Sequence, residues 1–255
     1  MSLFEVKPYD REVYEKELKD FLPQKILDVH THVYLKEFFP PKPLAPGEVK
    51  RTVTWPSLVA ADDSIEDLQE TYRLMLPGKD VTALMFSNSG RSQQANDYVA
   101  DASRRSGFPA LYFSAPEESP EEVERQKGGF LGIKGYLSLS PKYIPEAEIR
   151  IFDFFPKAQL KKMDEMGAIV MLHIPRNGRL KDPVNLAQIM EIKQEFPNIR
   201  LIIAHIGRAY TKEDVGNAFE TLDQAPDLMY DFCANCCEYA ITEVIRHAGV
   251  KHVMY

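Results

Sequence analysis

Cysteine is nearly missing from this 255-residue sequence, and the three present crowd together at 233, 236 and 237. Such a cluster cannot staple a disulfide framework, so a reducing cytoplasm is the expected setting. Its Cys-x-x-Cys, Cys233-Ala-Asn-Cys236, has no second pair to complete a zinc knuckle and reads as structural or as pocket wall. No apolar run approaches the roughly 20 residues needed to span a bilayer. The first residues, MSLFEVKPYDREVYEKELKD, carry no signal-peptide core and are too acidic for a transit peptide. A basic excess is also absent. With 31 Lys and Arg against 38 Asp and Glu, the net charge of −7 gives no reason to expect nucleic acid or an anionic membrane as partner. Nor does any predicted strand run into a Gly-x-Gly-x-x-Gly turn, which leaves a dinucleotide-binding open sheet unsupported.

What is present is an ordinary mixture, 44% apolar and 27% charged, long enough to bury a sizeable core. An amphipathic helix is predicted over Asp10–Leu22, stopped by Pro23, and a strand over 25–30. Residues 33–60 form an irregular, proline-rich excursion that includes Phe39-Pro-Pro-Lys-Pro-Leu-Ala-Pro46. A regular alternation follows. Helices are predicted at Ser64–Leu76, Ser92–Ser106, Pro120–Lys127, Pro156–Met166, Pro183–Phe196, Lys212–Leu222 and Glu238–Ala248. Strands are predicted at Val81–Ser87, Ala110–Ser114, Phe130–Gly135, Ala168–Ile174, Arg200–His205, Leu228–Phe232 and Val250–Tyr255. Eight apolar strands separated by helices predict a parallel sheet closed as one (β/α)8 TIM barrel domain over residues 1–255. The chain stops inside the eighth strand, so the expectation is a longer protein whose missing part begins at the end of that strand.

The chemistry is expected at the C-terminal ends of those strands. Ile26-Leu-Asp-Val-His30-Thr-His32 closes the first strand, and the two-residue period of a strand puts both imidazoles on one face. Lys134 falls on the fourth strand, His173 on the fifth and His205 on the sixth. His247 and His252 fall elsewhere, near a helix end and at the start of the eighth strand. Imidazoles gathered on one face are a natural half-site for a divalent ion. Arg176 and Arg208 each lie three residues beyond a histidine, where a guanidinium could grip a substrate carboxylate or pair with a local acid. Asp231 faces the mouth, orients a histidine or is simply a buried, hydrogen-bonded carboxylate, and Asn235 is a candidate substrate contact.

Asp28-Val-His-Thr-His32, Leu172-His173 and Ala204-His-Ile-Gly-Arg208, in this order, resemble the amidohydrolase superfamily. More narrowly they are similar to the amidohydrolase-related branch that contains the aminocarboxymuconate-semialdehyde decarboxylases. The resemblance implies that His30, His32 and His173 bind one divalent metal, zinc or alternatively manganese, and that His205 acts beside it as acid, base or electrophile. It also implies a last ligand, an aspartate just after the eighth strand, where this sequence ends. A strand-four lysine, Lys134 here, is carboxylated to bridge two metals in some superfamily members; a substrate-carboxylate contact or a structural role are the other readings. The implied reaction is hydrolysis of a small organic acid's amide, lactone or ester by metal-bound hydroxide. Decarboxylation of an aromatic or unsaturated carboxylate, and a degenerate barrel that only binds, are the alternatives. The expected partner is a small-molecule substrate; the N-terminal helix and residues 38–46 are candidate lid or homo-oligomer elements.

Overall fold

A computed structural model describes residues 3–39, 62–88 and 92–255. Most of the expected 33–60 excursion, and with it most of the proline-rich run, lies outside the described residues. Two compact units divide the rest, residues up to 88 with 92–109 forming one and 110–255 the other.

In the first unit, α1 (Pro8–Val13) passes directly into a π turn, Tyr14–Leu18, in place of one α-helix over 10–22. The Lys79 ammonium donates to the Lys19 and Leu22 carbonyls, at 2.5 and 2.8 Å, and so satisfies acceptors that the helix end before Pro23 leaves open. Strand β1 (Lys25–His32) pairs in parallel with β2 (Asp80–Phe86). The register shifts between Asp28 and Thr31: Asp28 faces Ala83 but Thr31 faces Met85, so one extra residue bulges from β1. Helices α2 (Ile65–Met75) and α3 (Gln93–Ser106) are capped by Ser64 and Ser92, whose side chains accept the Asp67 and Ala95 amides. Each such cap contributes about 1 kcal/mol. Gly107, at φ 75°, supplies the left-handed residue that ends α3.

The second unit holds six parallel strands in sequence order: β3 (Leu111–Phe113), β4 (Gly132–Lys134), β5 (Ile169–Leu172), β6 (Arg200–Ile203), β7 (Met229–Asp231) and β8 (Val253–Met254). Its long helices are α4 (Pro120–Lys127), α5 (Lys157–Glu165), α6 (Pro183–Glu195) and α9 (Glu238–His247). Ser119 caps α4 and Asp182 caps α6. The single helix expected over 212–222 is two short ones, α7 (Lys212–Val215) and α8 (Phe219–Leu222), because Gly216 between them sits at φ 50°. The last strand is shorter than the expected 250–255. Val250–His252 forms a 3-10 turn instead, held by the His252 ring on the Leu228 carbonyl at 3.0 Å.

Strand interiors read as continuous apolar runs, and Val170, Met171, Leu172, Leu201 and Ile203 are fully buried. This is what a parallel sheet covered on both faces requires. At Gly132 a β-carbon would overlap the backbone of Ile169, so glycine sets how closely β4 and β5 approach. Among the described residues no helix is long and apolar enough to cross a membrane.

Candidate active site

His30 and His32 lie on β1, in the first unit. The bulge in β1 is held by Asp28, which accepts the His30 amide at 3.1 Å and the Tyr72 hydroxyl at 2.8 Å. The two imidazoles lie 5.6 Å apart, centroid to centroid, and both stand edge-on to Phe86. His30 is buried. His32 Nδ1 lies 2.8 Å from the Ser87 carbonyl oxygen. A carbonyl can only accept, so Nδ1 carries the proton and Nε2 keeps the lone pair.

The second unit holds its own cluster of candidate residues, at the ends of β4 to β7. His173 follows β5, with Tyr136 against it at 4.7 Å and the His205 ring edge-on at 5.2 Å. Residues 205–208 form a single left-handed turn: His205, Ile206, Gly207 and Arg208 have φ of 55°, 49°, 57° and 57°. Only glycine adopts this region freely, and for a β-branched residue such as Ile206 it is an outlier. The three non-glycine residues carry roughly 1–2 kcal/mol of strain each. Gly207 is fixed twice over, since a β-carbon there would also lie 2.6 Å from Leu180 and 2.9 Å from Ile174.

The strained turn is clamped from several sides. Asp231 accepts the His205 amide at 3.1 Å and the Cys233 amide at 3.2 Å on one oxygen. The Cys233 carbonyl accepts from His205 Nδ1 at 2.5 Å, again leaving Nε2 with the lone pair. Asn235 Nδ2 donates to the His205 and Ala209 carbonyls at 2.9 and 3.0 Å, and its Oδ1 accepts the Cys237 amide at 2.9 Å. Arg208 donates to the Pro175 carbonyl at 3.0 Å.

Electrostatics here are set by burial. Lys134 is 1% exposed, and desolvation lowers its pKa to about 7 despite the opposing pull of Asp231. Burial raises the Asp231 carboxyl, with His205 the largest opposing influence. Burial likewise lowers His205, with Asp231 opposing, so the imidazole favours its neutral form.

The second unit thus brings together Lys134, His173, His205 and Arg208. Arg176 is turned to a local acid: its Nε donates to Asp182 at 3.0 Å, the residue that also caps α6. Asn235 is 4% exposed and bonded to backbone on both sides. His247 pairs with Asp223 at 2.9 Å, and His252 is occupied in its turn. Sequence reasoning did not single out Tyr136 as a site residue. The signal was available: Tyr136 lies two residues past Lys134, in step with the strand period.

Parallel βα units with His173 and His205 just beyond the ends of β5 and β6 follow the pattern of a (β/α)8 barrel. The sequence profile of the amidohydrolase family matches residues 27–255, and the chain belongs to that family. Its function is accordingly of the metal-dependent amidohydrolase kind, on small-molecule substrates. The crystal structure of a candidate amidohydrolase from Staphylococcus aureus is similar at a TM-score of 0.55 and 13% identity, covering 90% of this chain and 86% of that one. An uncharacterised TIM-barrel protein from Bordetella bronchiseptica gives 0.55 at 12% identity, over 91% and 84%. These likenesses establish the TIM-barrel fold. No curated protein matches the chain in sequence.

Proposed function

We propose that this chain hydrolyses a small organic-acid derivative, an amide, lactone or ester, and that it stands in the aminocarboxymuconate-semialdehyde-decarboxylase-like branch of its family. His30, His32 and His173 are the proposed ligands of one divalent ion, zinc ahead of manganese. The donor chemistry suits such an ion: His32, with its Nδ1 proton on the Ser87 carbonyl, presents Nε2 as a ligand nitrogen of fixed tautomer. When bound, the ion lowers the pKa of a water toward about 7 and polarises a carbonyl.

The observation that carries the reading is the His205 ring, its tautomer set by the Cys233 carbonyl and its edge against His173. Nε2 is then the atom that takes a proton from the attacking water and returns it to the leaving group. A pKa lowered by burial keeps that nitrogen unprotonated at neutral pH, with its lone pair available. Arg208 and Lys134 are proposed to meet the acidic group of the substrate. Asn235 steadies the turn that carries Arg208 through the His205 and Ala209 carbonyls, and Arg176 is paired with Asp182 at the start of α6.

Metal analysis and a substrate panel test this together. Protein purified without added ions should hold about one equivalent of a transition metal, and less than about a tenth would overturn the proposal. His173→Ala should lose the metal, whereas His205→Ala should keep it and lose acid release from lactones and amides. Carbon dioxide release from aromatic or unsaturated carboxylates, without acid release from that panel, would replace hydrolysis by decarboxylation. Bound ligand with no turnover would leave a binding barrel.

A further inference from the structure

We propose that Asp231 is the positioning residue of His205, holding the left-handed turn and the ring-binding carbonyl through two backbone amides. The inference rests on His205 being the proton-transfer group and adds the residue that aims it.

Asp231 ends β7 and is fully buried, so solvent does not explain a carboxylate there. One oxygen of it accepts amides from two separate segments, His205 at 3.1 Å and Cys233 at 3.2 Å. The first bond fixes the main chain where the left-handed turn begins. The second fixes the residue whose own carbonyl binds His205 Nδ1 at 2.5 Å. Main chain and ring of one histidine are therefore referred to a single side-chain atom. Asp231 Oδ1 does not hydrogen-bond His205 Nδ1, because the two atoms are 3.8 Å apart; its direct influence on the ring is electrostatic. This differs from a histidine–aspartate pair in which the carboxylate itself selects the tautomer. When protonated, the buried Lys134 opposes the rise that burial causes in the Asp231 pKa.

The same device recurs in the first unit. Asp28 accepts the amide two residues on, at His30, just as Asp231 accepts that of Cys233. A short carboxylate, within β1 at Asp28 and at the end of β7 at Asp231, accepts the amide two residues later and bends the chain near an imidazole.

The substitution logic separates geometry from bulk. Asp231→Asn keeps an acceptor oxygen of the same reach, whereas Asp231→Ala removes it. The readout is the tautomer of the His205 ring, taken from long-range nitrogen–proton NMR of histidine-labelled protein, with the His205 signals assigned by their loss in His205→Gln. Wild type and Asp231→Asn should show a single Nδ1-protonated tautomer, and Asp231→Ala a mixture. In turnover, Asp231→Ala should lower kcat by about 10–100-fold with KM little changed, and Asp231→Asn should restore most of it. A single unaltered tautomer in Asp231→Ala overturns the proposal, as does an Nε2-protonated ring in wild type. Should the alanine variant fail to fold, Asp231→Asn decides: a retained tautomer supports the proposal and a mixture overturns it. The NMR result needs neither metal nor substrate. Activity that survives in His205→Gln would instead refute the role of His205 and leave the positioning result standing.

Discussion

Replacing Asn235 by alanine should cost about 2–3 kcal/mol of stability and spread His205 over more than one conformation. The magnitude follows from what the side chain does. Its amide satisfies the carbonyls of His205 and Ala209, and its oxygen takes the Cys237 amide, all in a site only 4% exposed. Three hydrogen bonds at about 0.5–1.5 kcal/mol net give about 3 kcal/mol. Against this stands the strain of His205, Ile206 and Arg208, roughly 3–6 kcal/mol in total for three left-handed residues. What remains after the substitution is the bonds from Asp231, Cys233 and Arg208, about 1–2 kcal/mol each, nearly equal to that strain. The turn should therefore relax in part, which limits the measured loss. Urea unfolding followed by circular dichroism reads the loss directly, and for a chain of this size it corresponds to a fall in Tm of about 4–10 °C. Asn235→Asp should be worse than alanine, since it removes both donors and turns a buried carboxylate toward two carbonyls. A loss below about 0.5 kcal/mol for the alanine variant, or an aspartate variant as stable as wild type, would refute the reasoning.

Gly207→Ala should destabilise by about 2–4 kcal/mol, because the added methyl meets Leu180 and Ile174 and the residue must still hold φ 57°; a thermal melt unchanged from wild type would contradict the turn as described. Lys134→Met should change how stability depends on pH. The folded lysine has a pKa of about 7 and the unfolded one about 10.4, so between these values the unfolded chain binds the extra proton and stability rises with pH. The variant should lack that rise when urea midpoints at pH 7 and pH 9.5 are compared, and an identical rise in both proteins would show that Lys134 is not the group responsible.

Much of the scaffold was legible because its signals are local. Ser64, Ser92, Ser119 and Asp182 announce helices α2, α3, α4 and α6 by the oxygen they offer to orphan amides. The apolar strands between them have no other period to follow, and the histidines stood out because four of six close strands. The family and the barrel followed from that order. The left-handed turn was not legible. His205-Ile-Gly-Arg208 contains one glycine, and nothing in those residues forces the other three to positive φ. The force comes from Asp231 and Asn235, some thirty residues on, and a local reading has no access to it. The same holds for Arg176: its partner Asp182 lies six residues on, and nothing in the run between them marks the pairing. The broken helix at Gly216 and the shortened last strand depend on backbone geometry and on a ring-to-carbonyl bond that composition does not encode.

Opposite handedness at residues 205–208 has a consequence for anyone recombining this barrel with a relative. The loop after β6 stores the unfavourable conformation while the loop after β7 holds what makes it tolerable, so the pair behaves as one inherited block. A crossover placed between Arg208 and Asp231 would deliver a histidine in sequence but not in aim. Chimeras cut on either side of both loops should keep it.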